Sequence, residues 1–260
     1  MGRRRNGKKE ACRKYVQDIK SADVWSVFKI IADFVQGFDE LGDLGPSVTI
    51  FGSARVDENH PYYQQAVQLS SMLGSRGYNV ITGGGPGVME AANRGAYDYE
   101  EVESIGLNIE LPEEQQPNPY ITKGRQFDYF FSRKVMLVKY SMAYVIFPGG
   151  FGTLDEMFEA LTLIQTRKVT GVKLFVIGTD FYAPLMEFIR TRLLAEGMID
   201  EADLGFFTLT DDLHYVVTEI EKSMIAQMIS LEEQGLDHTK YYETLSSYMT
   251  DKHPIEETEF

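Results

Sequence analysis

Between Glu10 and about Leu41 the apolar residues Tyr15, Ile19, Val27, Phe28, Ile31, Val35 and Phe38 recur at roughly helical intervals. This spacing predicts one or two leading helices that end near Gly42 and Gly45 and dock on the main body through that stripe. Further on, the pattern changes to short apolar runs. Residues 48–51, 78–82, 104–109, 142–147, 174–177 and 206–209 read as strands. Helical stretches at 63–75, after the turn that opens at 83, at 131–142, after the turn at 148–153 and at 184–195 separate them, with a Pro-rich loop over 111–125. Strands alternating with helices predict an α/β fold, a Rossmann-like parallel sheet with helices on both faces, plus leading and trailing helices. A ligand is then expected beyond the C-terminal ends of the strands.

No composition break interrupts 46–225, so that stretch reads as one domain, with a helical extension over 1–45 and an acidic tail over 226–260. The tail carries Tyr241, Tyr242, Leu245 and Tyr248, which predict a last helix docked on the body or on a partner subunit, and its close, HPIEETEF, reads as frayed.

With 43% hydrophobic and 12% aromatic residues, there is ample material for a core. The formal net charge of −14 argues against a nucleic-acid polymer or an anionic membrane as partner. Backbone amides can still bind a small anion at that net charge. The one basic cluster, Arg3, Arg4, Arg5, Lys8 and Lys9, reads as a solvated end; neither a secretory signal nor a membrane-spanning run is expected. A lone Cys12 fits a reducing compartment, and the four histidines show no metal-ligand spacing, so a cytoplasmic protein with no metal and no cofactor is expected.

Two glycine turns follow strands: GGGPG at 83–87 and PGGFGT at 148–153. Neither is a GxGxxG fingerprint or a P-loop. In the second, Gly149, Gly150 and Gly152 let backbone approach a ligand at a helix N-terminus, which suits a phosphate; a tight structural turn needs the same glycines. Thr153 and Glu156 match a capping box. Yet Glu156 lies far around the helix from the stripe Leu154, Phe158, Leu161 and Ile164, so it faces solvent or a cleft. In the helix over 131–142 one apolar face carries Phe131, Val135, Val138 and Met142, and the other carries Met136, Leu137 and Tyr140 around Arg133. An arginine there needs a carboxylate or phosphate, unless it snorkels or makes a structural pair. Lys134 lies off both faces, and Glu90 fits a first-turn acid complementing the helix dipole. The second apolar face and the leading helix predict a homodimer or higher homo-oligomer.

Taken together, Ser132-Arg133-Lys134, PGGFGTLDE, GGGPGVMEAANRGA and Phe51-Gly52-Ser53-Ala54-Arg55 resemble the Lonely Guy family of cytokinin-activating phosphoribohydrolases, over about 48–177. The resemblance implies hydrolysis of the N-glycosidic bond of a nucleoside 5′-monophosphate, AMP or a cytokinin riboside monophosphate, to free base and ribose 5-phosphate. It implies Arg133 and Glu156 as the catalytic pair. Gly150, Gly152 and Thr153, assisted by Ser53, would hold the phosphate. Gly84, Gly85, Met89, Glu90, Lys134 and Gly149 complete the implied substrate site, with Met89 and the first glycine turn lining the nucleoside pocket. The long ends and Glu90 depart from the plant-type pattern and leave the base open. Relatives labelled lysine decarboxylase would need a pyridoxal-phosphate lysine, for which no motif is present. The rival readings are a carrier of the phosphate-bearing molybdenum cofactor and a non-catalytic nucleotide sensor; neither needs Arg133 and Glu156 together.

Overall fold

The computed structural model describes residues 24–110 and 116–252. The basic cluster Arg3 to Lys9, Cys12, Tyr15, Ile19, the start of the 111–125 stretch and the HPIEETEF end lie outside the described residues. Among the described residues seven strands, all paired in parallel, form one sheet: β1 Ser47–Phe51, β2 Asn79–Thr82, β3 Ser104–Ile109, β4 Lys123–Phe127, β5 Ala143–Ile146, β6 Lys173–Val176 and β7 Phe207–Leu209. Their order is β4-β3-β2-β1-β5-β6-β7, so the chain reverses its direction of growth between β1 and β5. That reversal opens a crevice beyond the C-terminal ends of β1 and β5.

Helices cover both faces. On one, α2 (Pro61–Gly74), α3 (Val88–Tyr97), α7 (Leu213–Glu233) and α8 (Lys240–Lys252) bury Tyr63, Leu69, Ala92, Val216, Ile220 and Leu245 against β1, β2 and β5. Tyr248 of α8 packs its ring on Tyr78, 5.1 Å between centroids, so the last helix docks on its own body. On the other face, α1 (Val24–Leu41), α4 (Phe130–Lys139), α5 (Phe151–Gln165) and α6 (Thr179–Phe188) contribute Leu41, Met136, Leu137, Met157, Ala160 and Tyr182.

The structure corrects several expectations. Part of the expected 111–125 loop is β4, an edge strand in which Lys123 to Gln126 alternate between half-buried and exposed and Phe127 is buried; polar side chains on one exposed edge conceal the strand pattern. The helix expected over 184–195 starts at Thr179, keeps Pro184 inside it and continues as a π-helical turn over Ile189–Leu194. In α1 the apolar stripe faces outward: Phe28 is 57% exposed and Val35 59%, while Asp33, Gly37 and Leu41 face the body. The two faces of α4 are likewise exchanged. Ser132, Met136 and Leu137 are buried, and Phe131 and Val135 lie exposed. Both inversions share a physical cause. An unpaired apolar face and a core face carry the same periodicity, and only the polar groups that need partners, Asp33 and Ser132, decide which side turns in.

Candidate active site at the strand reversal

Ser53, just past β1, joins the two glycine turns. Its amide donates to the Pro148 carbonyl at 3.0 Å, and its carbonyl accepts from the Val88 amide at 2.9 Å. Its hydroxyl accepts from the Arg55 amide at 3.1 Å. Gly87, which caps α3, has φ of 72°, and a Cβ there would fall 2.3 Å from the Ser53 carbonyl oxygen. A Cβ on Gly149 would fall 2.1 Å from Thr153 Oγ1. Gly87 and Gly149 thus permit close approach of chain to chain.

Gly150 and Gly152 differ, because nothing lies within 4 Å of a Cβ built on either. Gly150, in extended conformation, is the N-cap of α5, and no side chain caps that helix. The capping box expected from Thr153 and Glu156 does not form, since the helix starts at Phe151 and Thr153 is already in its first turn, buried beside Gly149. The expected stripe through Phe158 is also displaced: Thr153, Met157 and Ala160 are buried, and Phe158 is partly exposed. The first amides of α5 therefore open, uncapped, onto the space over Gly150 and Gly152, with the partial positive charge of a helix N-terminus. An anion of phosphate size suits this cradle.

Two charged side chains stand near it. Arg133 reaches across to the first turn, where a Cβ on Gly83 would lie 2.6 Å from Arg133 Nη2 and 2.8 Å from the Met89 sulfur. Arg133 Nε is buried without a hydrogen-bond partner. Burial pulls the guanidinium below its ordinary range, and Glu156 partly restores it. Burial pushes the Glu156 carboxyl up to about 7, against the pull of Lys134 and Arg133. Among the described residues the two are not in ion-pair contact. This is a pair of half-buried opposite charges, each sensing the other, beside an uncapped helix N-terminus, and groups so perturbed in a crevice are candidates for a reactive pair.

The other expected residues are placed differently. Gly84, with φ of 71°, and Gly85 are buried, and Asn118 takes their carbonyls with its amide at 3.0 Å and its side chain at 3.1 Å. The two glycines shape the turn. Glu90 accepts from the Tyr63 hydroxyl at 3.2 Å, tying α3 to α2. Lys134 sits 2.7 Å from both Asp155 and Glu159, so it clasps α4 to α5. Met89 lies against Arg133's end of the crevice, where its sulfur and Arg133 Nη2 both approach Gly83.

Sequence reasoning missed Asn93 and Asn118. Asn93 Oδ1 accepts from Thr82 Oγ1 at 2.6 Å and from Asn118 Nδ2 at 2.9 Å, and Asn93 Nδ2 donates to Ser104 Oγ at 2.9 Å. This buried network holds the first turn against β2 and β3. Its signal was present: an asparagine on a helix face otherwise made of Ala91, Ala92, Gly95 and Ala96 needs buried partners.

The family model described as "Possible lysine decarboxylase" matches residues 89–220, half of the chain. This chain belongs to that family. The Lonely Guy resemblance carried by PGGFGTLDE is thereby borne out. The pyrimidine/purine nucleotide 5′-monophosphate nucleosidase of Escherichia coli K12 is 27% identical over 71% of this chain, which spans 42% of that protein's length. The cytokinin riboside 5′-monophosphate phosphoribohydrolase LOG of Oryza sativa subsp. japonica is 31% identical over 54% of this chain and 58% of its own. Among solved structures, the molybdenum cofactor binding protein of Rippkaea orientalis superposes with a TM-score of 0.50 at 21% identity, over 70% of this chain and 99% of its own. That likeness concerns the fold.

Proposed function

We propose that this chain hydrolyses the N-glycosidic bond of a nucleoside 5′-monophosphate, with AMP and N6-modified adenosine monophosphates as the first substrates to test. The observation that carries the reading is the charge pair Arg133 and Glu156, desolvated and mutually unneutralised by contact, beside the uncapped N-terminus of α5. The 5′-phosphate would take the α5 amides over Gly150 and Gly152, with Thr153 and Ser53 alongside. Water then bonds to C1′, the C1′–N bond breaks, and its electron pair leaves with the base, which takes up a proton. Positive charge builds on the ribose in that transition state. An ionised Glu156 would stabilise it and orient the water, and Arg133 would favour that ionised form and position substrate. The names of the relatives support the same chemistry. Retaining a phosphate-bearing cofactor or sensing a nucleotide needs the cradle alone, so the charge pair favours the enzyme over both rivals.

The family description implies a decarboxylase, whose pyridoxal phosphate would need a free lysine amine. Lys134, the lysine at the site, does not fit. Burial disfavours its charge, but Asp155 and Glu159 outweigh this and raise its pKa, holding the ammonium.

Chromatography of AMP incubations should show free adenine and ribose 5-phosphate, with kcat/KM rising as pH passes through about 7, where Glu156 ionises. Binding of AMP without cleavage would return the protein to the carrier or sensor class.

The reading includes the cytoplasm as its compartment and a homodimer as its form. No helix among the described residues is long and apolar enough to cross a membrane. In support of the dimer, the outward faces of α1 and α4 present Trp25, Phe28, Val35, Phe130 and Phe131, all more than 40% exposed. Light scattering at micromolar concentration should give twice the chain mass, and Phe131→Asp with Val35→Asp should give the monomer.

A further inference from the structure

We infer that Asp33, in α1 and outside the stretch the family model matches, is a positioning residue for the active site: its carboxylate caps α4 and so holds Arg133 against Gly83 within range of Glu156. Helix α4 has no cap of its own. Its N-cap residue is Tyr129, whose side chain makes no capping bond, and its first turn contains no acid. The missing acceptor comes from 96 residues away. Asp33 Oδ2 accepts from the Asp128 and Tyr129 amides, each at 3.2 Å, and from Ser132 Oγ at 2.7 Å. A carboxylate at a helix N-terminus also complements the helix dipole.

Arg133 follows Ser132 directly, so the residue gripped by Asp33 adjoins the residue that needs placing. Asp33 is itself only 6% exposed. Arg125 of β4 lies 3.9 Å from its Oδ1 and 2.9 Å from Glu40, tying α1 to the sheet edge with charges of both signs. A second contact fixes the same helix pair: a Cβ on Gly37 would stand 2.9 Å from the Met136 methyl. Loss of the Asp33 carboxylate would remove all three of these bonds from the start of α4 to α1. Ser132 keeps a bond to the Tyr129 carbonyl at 2.9 Å, which is local and does not anchor the helix to α1.

The kinetic part of the test rests on the proposed hydrolase reading; the titration part does not. In the full chain, Asp33→Ala should lower kcat between about ten- and a hundredfold, with a smaller change in KM, because a group misplaced by about 1 Å loses the productive geometry. The ionisation of Glu156, read as the carboxylate infrared difference against Glu156→Gln, should move to higher pH as the Arg133 charge moves away. Simple loss of the Asp33 charge would move it the other way. Of the groups around Glu156, Arg133 and Lys134 come from α4, and Asp155 and Glu159 from its own helix; only the placement of α4 changes. Asp33→Asn keeps an acceptor oxygen and should recover most of kcat, with Glu156 ionising at the parent's pH or slightly below it. If Asp33→Ala lowers the Tm but leaves both kcat and the Glu156 titration as in the parent, Asp33 merely fastens α1 and the inference is wrong. Should the parent cleave no nucleotide, the function fails and the titration alone decides Asp33. Should Asp33→Ala not fold, Ser132→Ala, which removes the shortest of the three bonds, must shift the titration in the same direction or the inference falls.

Discussion

Glu156→Gln should stop nucleotide cleavage and stabilise the protein in the same experiment. The carboxylate is asked to stabilise charge on the ribose and to orient water, and the amide can do neither, so kcat should fall about a thousandfold or more. The proposed phosphate contacts do not involve Glu156, so affinity for ribose 5-phosphate should stay within about threefold of the parent. The stability gain follows from the raised ionisation of this group. The folded protein holds the Glu156 proton up to about pH 7, whereas the unfolded chain releases it near 4.5. The resulting contribution is present in full below the unfolded value and is lost as pH rises through the folded one. At pH 8 the parent therefore carries a desolvated charge that glutamine lacks, worth on the order of 2–3 kcal/mol. Thermal unfolding should show the variant above the parent at pH 8, with the gap closing by pH 5. A variant that loses activity and stability together would make Glu156 a structural residue.

How far the sequence revealed this site depends on how local each interaction is. The two glycine turns and the strands before them are readable because each motif lies within a few residues, whereas Arg133 and Glu156, far apart in the chain, are joined as a pair by the family resemblance alone. Asp33 capping α4 and Asn118 filling the first turn are not readable, since the partners lie far apart in the chain and each residue alone looks like a solvated polar side chain. The sequence pattern assigns the buried faces of α1 and α4 backwards for a related reason. Phe28, Val35, Phe131 and Val135 are as periodic as any core, and periodicity does not say whether the covering surface belongs to the same chain. Helix α7 was within reach, as Leu213, Val216, Val217, Ile220 and Met224 are spaced for one face. For β4 the alternation of Lys123, Arg125 and Gln126 around Gly124 carries too little apolar signal.

Glycine is the residue for which sequence says least about purpose, and two substitutions separate its purposes here. Gly87→Ala should be among the most damaging single changes in the protein. With φ of 72° and ψ of −130° the backbone is in a region that L side chains avoid, and the added Cβ meets main-chain atoms of Ser53 and Ala54 at 2.3 to 2.9 Å. No rotamer relieves such a clash. Strain and displacement together should cost about 3 kcal/mol or more, lowering the Tm by on the order of 10 °C. Because Ser53 links both turns, the cradle should loosen with it and kcat should fall too. Gly150→Ala should do the opposite. Its φ of −91° suits alanine, and nothing lies within 4 Å of the new methyl. The Tm should stay within about 2 °C, while the methyl enters the space over the α5 amides and weakens ribose 5-phosphate binding by about tenfold or more. Calorimetric unfolding and ligand titration on the two variants would check both halves. A stable Gly87→Ala would remove the close approach at Ser53 as a structural requirement, and a Gly150→Ala that binds as tightly as the parent would move the phosphate away from the α5 N-terminus.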